Sequence, residues 1–156
     1  MTDLPELAQP KPASSAIVER DGRYLLVRRA NPPSADMYAF PGGRGEPGET
    51  PAETAVRELF EETGISARDP VLFATYDLKT LNEDGSLSSH FFLSVFRVET
   101  DSPFAGEAAD DAAEIGWFLP EEVDALPAPD SVRDCIARLA AAHLTQAPDS
   151  SCCRHA

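Results

Sequence analysis

The chain has few basic residues. Of its 156 residues only 13 are Lys or Arg, whereas 27 are Asp or Glu, which leaves a formal net charge of −14 at pH 7. Proteins that bind a nucleic acid backbone or an anionic membrane surface need clustered positive charge. The composition therefore predicts that neither a nucleic acid polymer nor a membrane is a partner.

Cysteines, long apolar runs and targeting signals are also scarce. Three cysteines, Cys135, Cys152 and Cys153, do not make a disulfide framework. No stretch approaches the ~20 apolar residues of a membrane span, and residues 1–12 lack the basic-then-apolar pattern of a signal peptide. We therefore expect a cytoplasmic location. The Gly-x-Ser-x-Gly, His-Glu-x-x-His and Walker motifs are missing too, so those hydrolase classes have no support.

The hydrophobic content, 42%, is sufficient for one packed core. We expect a disordered leader over 1–12, a single domain over 13–144 and a flexible tail over 145–156. Apolar runs on both sides of Asp21-Gly22 predict a β-hairpin, and a helical pattern begins at Asp130. Further strands are predicted over 71–78, 90–98 and 115–119. Because strands and helices mix without strict alternation, we expect an α/β (α+β) fold with helices packed on a mixed sheet.

One helix is specified at both ends. Thr50 and Glu53 have the spacing of a capping box, and Pro51 occupies the first helical position. Gly64 is suited to the left-handed residue that ends a helix. The sequence therefore predicts a helix over 51–63.

Carboxylates cluster on this helix. At ~100° per residue Glu58, Glu61 and Glu62 fall within one arc of ~100°, with no Lys among them. Hard oxygen ligands without counter-ions favour Mg²⁺ or Mn²⁺. A solvated acidic face is the alternative. The residues opposite the arc, and so on the expected core face, are Val56, Leu59 and Phe60.

The segment before the helix, residues 40–48, is too rich in Gly and Pro for a helix or a central strand. We expect an irregular loop in which the backbone at Gly42 and Gly43 approaches a metal ion and its phosphates. Phe40 is suited either to stacking on a nucleotide base or to core packing, and the sequence leaves both open.

The order of these residues follows a fixed spacing. Gly43, five residues, Glu49, seven residues and then Arg-Glu-Leu-Phe-Glu-Glu-Thr-Gly-Ile over 57–65 resembles the Nudix hydrolase signature at every fixed position. The resemblance extends over roughly residues 16–139, including Arg28-Arg29 at the end of the hairpin and a strand with Trp117 after the helix.

The resemblance implies an α/β/α sandwich whose loop–helix–loop holds Mg²⁺ or Mn²⁺. Glu58 and Glu62 are then expected as principal metal ligands, and Glu61 as a ligand or as the base that activates water. The resemblance also implies that the Gly42 carbonyl completes the coordination and that Arg57 orients the carboxylates. Glu49 is expected to contact the residues that bind the metal ion and not the ion itself. An additional catalytic acid is expected before the Trp117 strand, where Asp111 and Glu114 both qualify.

The implied substrate is a nucleoside diphosphate linked to another moiety. Arg28 or Arg29 is expected to bind a phosphate, and Gly43 and Phe40 are expected to contact the substrate as well. ADP-ribose or a similar nucleotide sugar is the favoured substrate. The alternatives are a (d)NTP pyrophosphohydrolase and a non-catalytic nucleotide-binding module, and a monomer and a homodimer both fit the family.

Overall fold

The computed structural model of the chain describes residues 10–30, 36–109 and 112–155, and side chains as far as residue 142. Within these ranges the chain forms eight strands and three helices. The strands are β1 (Lys11–Ile17), β2 (Glu19–Arg20), β3 (Arg23–Arg29), β4 (Tyr38–Ala39), β5 (Gly42–Arg44), β6 (Arg68–Leu81), β7 (Leu87–Glu99) and β8 (Ala112–Phe118). The helices are α1 (Pro51–Thr63), α2 (Pro120–Val123) and α3 (Asp130–His155).

The described strands form two sheets. In the first sheet the order is β5-β1-β7-β6. In the second sheet β3 pairs with β2, β4 and β8. The first sheet is mixed because β1 pairs parallel with β7 and antiparallel with β5. This confirms the predicted mixed sheet, and it places β5, which carries the paired glycines, at one edge of the first sheet.

The helices α1 and α3 lie on opposite sides of the strands. Ala16 and Leu25 pack with Leu59 of α1. Their chain neighbours Ile17 and Leu26 pack in the cluster that includes α3. Consecutive residues of a strand face opposite sides of a sheet, so the two helices cover opposite faces. The expected α/β/α sandwich is confirmed. The α3 residues in the core have the spacing of one helix face: Val132, Cys135, Ile136 and Leu139.

The first hairpin differs from the prediction in one respect. Its turn is at Asp21 and Gly22, which both have positive φ, 52° and 80°, as a two-residue type I′ turn requires. The short strand β2 and not the preceding apolar run pairs with β3. The preceding run belongs to β1, which pairs with β5 and β7 in the other sheet. Local sequence indicates the turn, but it does not indicate that the chain changes sheets at Val18.

The structure describes only part of the predicted leader, residues 1–12, and of the predicted tail, residues 145–156. Residues 1–9 of the leader lie outside them, and β1 already begins at Lys11. At the other end the backbone of α3 continues to His155, so residues 145–155 are helical where a flexible tail was expected. The limits of the domain stay a prediction.

Of the cysteines, Cys135 is buried and free, and the side chains of Cys152 and Cys153 lie outside the described ones. In the described part of the chain no helix combines the length and apolarity needed to cross a membrane.

Candidate active site

Helix α1 begins and ends where its caps require. The Thr50 hydroxyl accepts a hydrogen bond from the Glu53 amide at 3.1 Å, and the Thr50 amide donates to Glu53 Oε1 at 2.9 Å. Gly64 has a φ of 77°, and its amide donates to the Phe60 carbonyl at 2.8 Å. The predicted bounds and the capping role of Glu53 are confirmed.

The buried face of α1 is rotated from the predicted one. Leu59 is buried as expected, but Phe60 is 55% exposed, and Glu62, at 4%, is buried. The face that meets the sheet includes Ala55, Leu59 and Thr63, and Glu62 lies at its border. The acidic arc therefore runs from solvent into the protein and is not a purely solvated face.

Arg57 is at the centre of the acidic cluster. Its Nε and Nη2 donate to the two carboxylate oxygens of Glu49 at 2.7 and 3.0 Å. Its Nη1 donates to Glu58 Oε2 at 3.0 Å and to Glu61 Oε1 at 3.1 Å. Its Nη2 also donates to the Arg44 carbonyl at 3.0 Å. One guanidinium thus fixes β5, the loop and two carboxylates of α1 relative to one another, as the planar Arg fork permits.

Glu49 holds Arg57 in place. The Arg57 guanidinium, the Thr54 hydroxyl at 2.6 Å and the Glu46 amide at 3.0 Å all donate to this carboxylate. These donors lower the pKa of Glu49 to about 2, with Arg57 the largest cause. Glu49 in turn raises the pKa of Arg57. No sequence pattern indicated the Thr54 contact, because a buried Thr on a helix is ordinarily explained by packing.

Glu58 and Glu62 lie against the two glycines of β5. A Cβ atom at Gly43 would stand 2.6 Å from Oε2 of Glu58. The Gly42 amide donates to Glu62 Oε1 at 3.3 Å. Burial raises the pKa of Glu58, partly offset by the charge of Arg57. The close backbone approach that the Gly-rich loop predicted is therefore made to carboxylates of α1.

Glu61 is the most exposed of the three carboxylates, with 42% of its side chain accessible. The carboxylate oxygens of Glu58 and Glu62 lie deeper in the site, beside β5, so the three side chains differ in depth from the solvent inward. Among the described residues no three acidic, His or Cys side chains already converge as a complete metal-ligand set. The donor chemistry nevertheless suits Mg²⁺ or Mn²⁺, which prefer carboxylate and water oxygens.

The other predicted site residues are not in this cluster. Arg28 Nε donates to Glu114 Oε1 at 2.8 Å, Arg28 Nη1 donates to Asp36 Oδ1 at 2.8 Å, and the Tyr38 hydroxyl donates to Glu114 at 3.3 Å. The pairing lowers the pKa of Glu114, with Arg28 the largest cause. Arg28 and Glu114 thus engage each other. Asp111 lies outside the described residues.

The predicted substrate-binding roles of Phe40 and Arg29 compare differently with the structure. Phe40 is 6% exposed and packs in the core beside Ile17 and Val95, so its ring is not available to stack on a base. The core-packing alternative is the one observed. Arg29 is at the end of β3, where its carbonyl accepts the Asp36 amide at 2.8 Å. Its predicted phosphate contact stays a prediction.

Comparison with known proteins agrees with this geometry. The family model described as the NUDIX domain matches residues 9–139. An ADP-ribose pyrophosphatase of Methanocaldococcus jannaschii is 36% identical over 110 residues, which cover 70% of this chain and 62% of that protein. The CTP pyrophosphohydrolase of Escherichia coli is 48% identical over 54 residues, 34% of this chain and 40% of that protein. The chain thus spans less than two thirds of these relatives.

A solved structure shows the same fold. The solution structure of the E. coli ORF135 protein superimposes with a TM-score of 0.72 at 24% identity, and the match covers 91% of this chain and 96% of that one. The family match over most of the chain and the Gly43-to-Ile65 spacing agree with that fold. This chain belongs to the Nudix family of hydrolases.

Proposed function

We propose that this protein hydrolyses the pyrophosphate linkage of a nucleoside diphosphate derivative with Mg²⁺ or Mn²⁺ as cofactor. The observation that carries the proposal is that Glu58 and Glu62 lie against Gly43 and Gly42, while Arg57 holds the carboxylate of Glu58 together with that of Glu61. A protein that only needed solubility would not bury Glu62 or press a carboxylate against a glycine, because both cost desolvation free energy.

The residues fit a divalent cation. Burial disfavours the ionised form of Glu58, and a cation bound there would offset this cost. Glu58, Glu61 and Glu62 would hold the ion, and the Gly42 carbonyl is the additional ligand we expect. When bound, such an ion supplies charge neutralisation at the phosphates and a lowered pKa for a coordinated water.

The chain's own groups then orient the reaction. Arg57 donates hydrogen bonds to Oε2 of Glu58 and to Oε1 of Glu61. These bonds orient both carboxylates and so fix the direction of the second oxygen of each. The uncommitted Oε2 of Glu61, on the most accessible of the three side chains, is the atom we assign to accept the proton of the attacking water. Glu114 is a weaker choice because Arg28 neutralises it.

ADP-ribose is the first substrate to test. Its support is the 36% identity to the archaeal ADP-ribose pyrophosphatase over 110 residues. A nucleoside triphosphate is the second candidate, favoured by the 48% identity to the CTP pyrophosphohydrolase over a shorter stretch. We place the reaction in the cytoplasm, and the net charge of −14 argues against a nucleic acid polymer as substrate.

The deciding experiment is a product analysis. Purified protein is incubated with ADP-ribose, related nucleotide sugars and nucleoside triphosphates, with Mg²⁺, with Mn²⁺ or with EDTA. We expect turnover only with metal, giving AMP plus ribose phosphate from ADP-ribose or a nucleoside monophosphate plus pyrophosphate from a triphosphate. No turnover of any of these substrates with either metal would contradict the proposal and favour a non-catalytic binding module.

A further inference from the structure

A second feature of the first sheet is an open cavity of about 290 Å³ on β1, β5 and β7. Lys11, Arg44 and His90 line it, together with Ser88 and Ser89. Two cations, Lys11 and Arg44, therefore border one cavity in a protein whose net charge is −14. Such a concentration of donors at one place in an acidic chain needs a physical reason.

The two permanent cations of this cavity are not neutralised by the described part of the protein. Most arginines here pair with carboxylates, for example Arg28 with Glu114 and Arg68 with Asp101. No described carboxylate forms an ion pair with Lys11 or Arg44. The Arg44 guanidinium lies over the ring of Phe91, 5.2 Å from its centroid, which orients the cation without neutralising it.

Asp77 is a carboxylate beside His90, one of the residues that line the cavity. Asp77 Oδ1 lies 2.5 Å from His90 Nε2, and Asp77 Oδ2 lies 3.9 Å from Lys79 Nζ. This carboxylate is 53% exposed and is shared between those two groups. It therefore leaves the charge of Lys11 and Arg44 available to a ligand.

The cavity adjoins the acidic site across one strand. A Cβ at Gly43 would point at Glu58 on the α1 side, and the next residue of a strand points the opposite way, as Arg44 does toward Phe91. The Arg44 carbonyl is also bound by Arg57. Strand β5 is at the edge of this sheet, with β1 as its one neighbour in the strand order.

We infer that this cavity, defined by Lys11, Arg44, Ser88, Ser89 and His90, binds a phosphate group of the substrate or of its product. Arg supplies a bidentate fork, Lys a mobile point charge and Ser hydroxyl donors, which together suit a phosphate. The inference rests on the proposed function and adds a specificity site to it. The phosphate is either one of the two in the scissile linkage or a further phosphate beyond them.

The test is first a binding measurement that needs no turnover. Pyrophosphate is titrated calorimetrically into wild-type protein in EDTA, and into Lys11→Gln, Arg44→Gln and, as a matched control, Arg97→Gln. Arg97 is an exposed arginine at the other end of β7, paired with Glu19 at 3.4 Å. We expect the dissociation constant to rise about tenfold in the first two variants, since each loses a charge-assisted contact, and to stay within about twofold in the control.

The second measurement identifies the source of the phosphate. If Lys11→Gln and Arg44→Gln raise KM for both ADP-ribose and a nucleoside triphosphate with kcat little changed, the cavity binds a phosphate of the scissile linkage. If KM rises only for the triphosphate, the cavity binds a phosphate beyond it. Unchanged pyrophosphate binding in both variants would overturn the inference, whether or not the enzyme is active. Equal weakening in Arg97→Gln would overturn it as well, because the effect would then be one of net charge.

Discussion

The carboxylate of Glu58 lies so close to the backbone of Gly43 that a side chain at position 43 would have no space. A Cβ at Gly43 would be 2.6 Å from both Cδ and Oε2 of Glu58. The first glycine of the family spacing is therefore required by a carboxylate fifteen residues later in the sequence, and not by a left-handed turn.

Gly43→Ala tests this contact. The added methyl group must displace the Glu58 carboxylate, and we expect kcat to fall about 100-fold, as misplacement of a catalytic group by about 1 Å does. Gly45→Ala is the matched control, since a Cβ there would meet Thr54 Oγ1 at a more tolerable 3.3 Å. Steady-state kinetics of both variants decide the matter, and a fully active Gly43→Ala enzyme would contradict the proposed geometry.

Neutralising the acidic arc is expected to abolish most of the activity. Glu58→Gln and Glu62→Gln each remove an oxygen ligand with its charge, and we expect losses of about 100-fold or more in kcat. Glu53→Gln removes the same charge from the same helix but keeps the capping box, which accepts Gln as well as Glu. Activity assays with Mn²⁺ titration compare the three, and equal losses in all of them would show that helix charge alone matters.

Replacing Arg57 by Lys is expected to be costly although the charge is kept. A single ammonium cannot contact both oxygens of Glu49, Glu58 and Glu61 at once, so the carboxylates lose their common support. We expect a 10- to 100-fold decrease in activity or metal affinity, roughly the effect of losing a partner that orients metal ligands. Arg138→Lys, which changes an exposed ion pair on α3, serves as the control.

Acid is expected to weaken the fold through Glu49. Its pKa of about 2 in the folded protein is below the ordinary 4.5, so the contribution is full above about pH 4.5 and is lost as the pH falls toward 2. The Tm of wild type minus that of Glu49→Gln is therefore expected to be positive at neutral pH and to shrink below pH 4.5. Thermal melts over a pH series measure this difference, and a difference that does not change with pH would refute the assignment.

The rotated core face of α1 predicts different effects at two adjacent positions. Leu59 is fully buried, and Leu59→Ala is expected to lower the free energy of unfolding by about 2–5 kcal/mol. Phe60 is 55% exposed, and Phe60→Ala is expected to cost less than about 1 kcal/mol. Urea unfolding of both variants distinguishes the observed face from the one that periodicity predicted, for which both positions would be sensitive.

The parts of the fold set by neighbouring residues could be predicted from the sequence. The caps of α1 use Thr50, Glu53 and Gly64, all within a turn of the helix ends, so both bounds were predicted correctly. The turn at Asp21-Gly22 was also predictable, since its positive φ values are a local property. The pairing of β1 with β7 was not, because residues 11–17 and 91–97 come together only through the tertiary fold.

The same distinction applies to the site. The spacing of Glu58, Glu61 and Glu62 placed them on one arc, but it could not show that Glu62 is buried beside Gly42. That burial depends on how β5 docks against the helix. The cavity between Lys11, Arg44 and His90 likewise joins three strands distant in sequence, and no local pattern indicated it.

The parallel pairing of β1 with β7 also determines when the site can form. Lys11 pairs with Phe91, so this contact closes a loop of 91 − 11 = 80 residues, and contacts of such long range form slowly. Helix α1 can form its caps early, but β1, on which β5 is built, gains its second partner only after β7 has been synthesised. The strand on which Gly42 and Gly43 pair is therefore expected to gain full protection late in folding. Pulsed hydrogen exchange should show the amides of residues 13–15 and 93–95 becoming protected together, and earlier protection of β1 alone would contradict this order.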